Sequence, residues 1–221
     1  MKVADELSVA APRVQSASEE LANAVSHGIG FVASLIASPI LLLAAAQRNS
    51  SGFFIGSIIF AATMSILYFS STLYHAWPET PGKSFWRLID HSAIFLLIAG
   101  TYTPFGLGPL RNNGGLIMLG VVWSLAIFGV TLKATRGTAS YPKLAMSLYL
   151  GTGWLGIFLV RPVTAAIPLW PLLWLLGGGI LYTTGVIFFL SKRLPYAHFI
   201  WHLFVLAGTS CHFMAVISCA G

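Results

Sequence analysis

Seven apolar runs, each close to the ~20 residues that cross a bilayer as a helix, follow one another with only short connections between them. They lie at 23–46, 52–76, 87–108, 114–132, 143–160, 168–190 and 196–220. The connections RNSS, WPETPGKS, GPLRNNGG, KATRGTASYP, RPVTAAIP and SKRLP carry the Gly, Pro, Asn and Ser that stop helices. Inside hydrocarbon each backbone N–H and C=O must be satisfied within the protein, so apolar runs of this length are helices. The expected fold is therefore all-α, a polytopic bundle of seven transmembrane helices. Residues 1–17 read as a flexible tail and 18–221 as a single transmembrane domain. No connection is long enough to join two domains, and no internal repeat stands out.

Composition agrees: 57% of the residues are apolar and 8% charged, a balance that excludes a soluble domain of this size. The net charge of +6 would suit nucleic acid if it formed a patch, but the basic residues lie mostly between the apolar runs, which excludes that class. Instead they report orientation. The tail and the second, fourth and sixth loops hold Lys2, Arg13, Lys83, Arg87, Lys133, Arg136, Lys143, Lys192 and Arg193, and the other side only Arg48, Arg111 and Arg161. That bias places the N-terminus in the cytoplasm and the C-terminus outside. Trp77, Trp86, Trp170 and Trp174 fall near run ends, as interfacial aromatics do. Glycines at 52 and 56, and at 151, 153 and 156, offer close helix approach. Cys211 and Cys219 are separated by roughly 12 Å along one helix, so they cannot bridge each other and read as packing thiols. The first apolar run is too long for the core of a cleaved signal peptide.

Ionisable residues inside such runs are costly unless paired or bound, and mark function by default. His198 and His202 stand one turn apart on one face of the last run, a spacing that grips a metal ion. The topology brings more groups to their depth: His75 near the end of the second run, Asp90 and His91 at the start of the third, and Glu20, Asn23, Ser26 and His27 at the start of the first. All fall in the cytoplasmic half. Three imidazoles leave one position open on a zinc ion, and a water there ionises near neutral pH. His75, His198 and His202 are the expected ligands, Asp90 the group that orients that water or takes its proton, and Ser71, one turn from His75, a donor to substrate or water. The same imidazoles suit copper, nickel or iron.

Other roles stay open for these residues. His198 and His202 could hydrogen-bond neighbouring helices, His75 could be an interfacial histidine near the headgroups, Asp90 could pair with Arg87 or a loop lysine or ligate directly, and Glu20 and His27 fit a polar network at the helix start better than a ligand set. His198, His202, Thr209 and His212 share a stripe ~80° wide that climbs about 20 Å and should line a pocket. His212 is too far along it to reach the metal.

The motifs EELANAVSH, STLYH, RLIDHSAIFLLIAGTYTP and HFIWHLFVLAGTSCHFMAV resemble the hemolysin III family, within the progestin and adipoQ receptor superfamily that includes the adiponectin receptors. The resemblance runs from about Glu19 to the end of the chain. It implies seven helices with the N-terminus inside, zinc on His75, His198 and His202, Asp90 beside a zinc water, and Ser71 behind it. Because the superfamily is similar to alkaline ceramidases, it further implies a membrane-lipid amide or ester as substrate and a cell-membrane location. The family's name implies a pore or lytic protein instead, although a pore needs a polar path across the whole bilayer. A third expectation is a sensor of membrane composition with zinc as a structural clamp.

Overall fold

A computed structural model describes residues 14–191 and 193–220 of the chain. Most of the proposed tail (1–13), including Lys2 and Arg13, lies outside the described residues, as does Lys192. Seven helical segments are long and apolar enough to cross a membrane, and no strand occurs among the described residues. They comprise α1 (Ala17–Ala46), α2 (Ser51–Ala76), α3 (Pro81–Leu107), α4 (Leu116–Arg136), α5 (Pro142–Gly153) with α6 (Val160–Ala166), α7 (Leu169–Leu190) and α8 (Ala197–Ser218).

Helix starts differ from the apolar runs, because caps and not hydropathy set them. The first helix begins at Ala17, six residues before its apolar run. Ser16 accepts from the Glu19 N–H at 3.3 Å while its own N–H donates to Glu19 Oε2 at 2.9 Å, a reciprocal cap. That extra length puts Glu20 on the helix. In α3 a proline at the first position, Pro81, starts the helix ahead of the run.

The second and third helices form the centre of the bundle and are its most buried spans. They approach closely because Gly56 lies against the backbone of Thr103 and Pro104, and Gly52 against the Leu107 carbonyl. By contrast Gly151 and Gly153 face no neighbour within 4 Å, so small residues there do not mark a helix contact. Helix α1 packs on α2 and α8, α3 on α4, and α7 on α8. Phe53, Phe60, Phe95, Leu41 and Val216 fill the shared core.

The fifth span is broken, a feature its apolar sequence conceals. It runs as α5, a 3₁₀ turn at Leu155–Leu159, then α6. The Tyr102 hydroxyl, from α3, reaches the Thr152 and Gly153 carbonyls at 3.1 and 2.7 Å and accepts from the Gly156 N–H at 3.1 Å. One side chain thus satisfies the backbone groups that the break releases, as the apolar setting requires.

Candidate metal centre

At one end of the bundle α1, α3, α5 and α8 begin and α2, α4 and α7 finish, so polar residues scattered along the sequence converge there. His75 comes from the last turn of α2, and His198 and His202 from the first turns of α8. One ring nitrogen from each of the three lies within 4.8 Å of the others. The His75 ring centre is 5.0 Å from each of the other two, and those two are 4.7 Å apart. A tetrahedral zinc site has nitrogens about 3.4 Å apart, given bonds of 2.0–2.1 Å, so small side-chain rotations would close the set.

The outer nitrogens fix which edge each ring presents. His75 Nδ1 donates to Glu20 Oε2 at 2.8 Å. His202 Nδ1 faces the Asn23 carbonyl and Ser26 Oγ, each at 3.2 Å, and Ser26 Oγ donates to the same carbonyl at 2.9 Å. With Nδ1 occupied, Nε2 is the free nitrogen on both rings. His75 Nε2 is buried and has no hydrogen-bond partner among the described residues. A carboxylate or carbonyl on the far nitrogen is the arrangement that orients metal-binding histidines, so the donor set suits a borderline cation such as zinc.

Asp90 is buried beside the cluster, with Ser71 and His75 near enough to act on its charge. No ion pair joins it to Arg87 among the described residues. Ser71 Oγ lies 2.7 Å from His27 Nδ1, and the His27 ring stacks on His202 with centres 3.6 Å apart and planes 7° from parallel. The contacts of Glu20 and His27 were not legible from sequence; only their depth hinted at them.

Other histidines stand apart from the cluster. The His91 carbonyl accepts from the Tyr149 hydroxyl at 2.9 Å, and its ring packs edge-on to Tyr74. His212 Nε2 is 3.3 Å from the Leu175 carbonyl, deep in the bundle, and Thr209 bonds the Tyr182 hydroxyl at 2.6 Å. Both cysteines are free.

A cavity of about 330 Å³ adjoins the centre. His198, His202, Asp90 and Ser71 line its polar end, and Ile94, Leu97, Met146, Val186 and Val205 carry its apolar wall inward, with His212 on it too. Most of the α8 stripe therefore faces the cavity, while Thr209 turns to Tyr182.

The sequence pattern described as Haemolysin-III related matches residues 15–213. The chain belongs to that family. It is 43% identical to the hemolysin-3 homolog of Bacillus subtilis (strain 168), over 90% of this chain and 93% of that protein. Identity is 39% with hemolysin-3 of Bacillus cereus, over 92% of each. A more distant relative, the monocyte to macrophage differentiation factor of Homo sapiens, is 27% identical over 90% of this chain and 83% of its own length. Similarity of that reach extends the kinship to the progestin and adipoQ receptor superfamily.

Proposed function

We propose that this family member is a metal-dependent hydrolase of membrane lipid amides or esters, working in the cytoplasmic half of the cell membrane. The observation that carries the reading is the orientation of His75 and His202. Their Nδ1 atoms are engaged by α1, which leaves Nε2 of each ring for a metal, in a cluster with His198 beside a buried carboxylate and an apolar cavity. A zinc ion held by these three imidazoles would polarise a carbonyl oxygen and make water acidic near neutral pH.

Each residue's part follows from its contacts. Asp90 takes the proton of the attacking water and returns it to the leaving nitrogen or oxygen. Ser71, fixed by His27, stands beside Asp90 in the cavity wall as a donor to substrate or water. The wall formed by Ile94, Leu97 and Val205 takes the acyl chain and excludes bulk water. The excess of basic residues at this end supports its assignment to the cytoplasm.

Asp90→Asn tests the reading: hydrolysis of lipid amides and esters should fall about 10²- to 10⁴-fold, with the metal content of the purified protein unchanged. Undiminished turnover would remove Asp90 from the chemistry. The second reading, a clamp without catalysis, draws on the fact that the cluster joins α2 to α8. It predicts lost stability on metal removal and no hydrolysis by the wild-type protein.

A further inference from the structure

Two cations in the cavity wall have no counter-ion among the described residues. Arg87, on α3, donates from Nε to Thr138 Oγ1 at 2.7 Å, and Lys133, on α4, donates from Nζ to the Thr138 carbonyl at 2.8 Å. Both side chains therefore converge on one residue, and all three line the cavity that holds His198 and Asp90. Lys133 is only 3% exposed. No carboxylate lies within ion-pair distance of either cation among the described residues. The terminal guanidinium nitrogens of Arg87 and the remaining Lys133 protons have no partner there either. Arg87 is half-buried beside Lys133. The buried Lys133 charge without a counter-ion is costly, and an anion entering the cavity would offset that cost. Arg87 supplies a planar fork for such an anion and Lys133 a point charge.

Depth narrows the anion's chemistry. Arg87 precedes Asp90 by three residues on α3, about 4.5 Å nearer the bundle end. The polar headgroup layer of a bilayer extends about 5–7 Å beyond the hydrocarbon on each side. A lipid whose phosphate rests on Arg87 and Lys133 would carry its first acyl linkage at the level of Asp90 and the three histidines. Its chain would continue along Ile94, Leu97 and Val205.

We propose that Arg87 and Lys133 form a headgroup site for an anionic, phosphate-bearing glycerolipid, with the acyl chain in the adjoining cavity. The proposal rests on the reading of the cavity as a lipid site but does not require hydrolysis there. It distinguishes the ligand from a neutral lipid amide, which brings no anionic group to the two cations.

The test is direct binding of fluorescent dialkyl-ether phosphatidate, which has no acyl linkage to cut, to the full-length protein in uncharged detergent. The comparison is the matching dialkylglycerol. Phosphatidate should bind at least tenfold tighter. Arg87→Gln and Lys133→Gln should each remove about a factor of ten, as the loss of a charged hydrogen bond does. The double variant should bind both lipids alike, and Arg87→Lys with Lys133→Arg should keep most of the preference, which separates lost charge from lost fold. Equal binding of the two lipids by the wild type would overturn the proposal, as would a preference that survives in the double variant. Displacement of the lipid by millimolar inorganic phosphate would also overturn it, in favour of a free-anion site. Because the ether lipid is not turned over, a protein without hydrolase activity can still show the preference.

Discussion

Glu20 offers a sharp test of how the centre is held. Its carboxylate accepts from His75 Nδ1 at 2.8 Å, and that bond leaves Nε2 as the nitrogen His75 can offer to a metal. Removing such a partner lowers metal affinity by about 10- to 100-fold in comparable sites. The structure argues for the lower end. Glu20's side chain is 24% exposed, and Lys83 stands 3.7 Å from its other oxygen, so solvent and a lysine share its charge. Glu20→Ala should therefore weaken zinc binding about tenfold, close to 1.4 kcal/mol. Glu20→Gln should fall between, because its amide oxygen can still accept from Nδ1 but brings no charge. The assay is competition for zinc between purified protein and a chromophoric chelator, beside His75→Ala, which should lose the ion altogether. If Glu20→Ala binds zinc as tightly as wild type while His75→Ala does not bind it, the carboxylate does not orient the ring and the argument fails.

Other perturbations read the fold and the centre separately. Chelator-stripped protein should regain about 2.7 kcal/mol of stability when zinc is restored at a hundred times its Kd, and His198→Ala should gain nothing, as measured by thermal unfolding in detergent. Gly56→Ala would put a Cβ 2.5 Å from Pro104 Cα, against backbone that cannot step aside. It should destabilise the bundle by about 1–3 kcal/mol, and an unchanged unfolding midpoint would refute the close approach. At Gly137, φ is +83° and ψ 155°, a region kept for glycine, while nothing lies within 4 Å of where an added Cβ would sit. Gly137→Ala should cost about 1–3 kcal/mol from backbone strain alone, checked by the same melt.

The seven spans and the residues of the histidine cluster were legible in the sequence for different reasons. Hydropathy and run length give the spans, because the bilayer leaves a long apolar run few alternatives. The convergence of His75 with His198 and His202 follows from parity: α2 must finish where α8 begins. The break in the fifth span was hidden, since WLGIFLV is as apolar as a continuous helix and the group that satisfies its freed backbone is Tyr102, a residue of another span. Equally hidden was which nitrogen each imidazole presents, because Glu20 and the Asn23 carbonyl reach them only across helix contacts. Arg87 and Lys133 counted as markers of orientation, and Arg87 also as a partner for Asp90; their meeting at Thr138 depends on a loop that hydropathy does not describe.

The cluster also constrains the order in which the chain becomes complete. His75 is on the second span, whereas His198 and His202 are on the last, and the groups that steady them come from the first. A ribosome-bound chain can therefore place α1 and α2 in the membrane, with Glu20 already beside His75, long before the remaining two imidazoles exist. The centre is finished only when α8 docks against α1. A chain truncated before Ala197 would keep six spans, His75 and the groups of the first span but lack two of the three imidazoles, so metal retention would report that the final helix has been delivered.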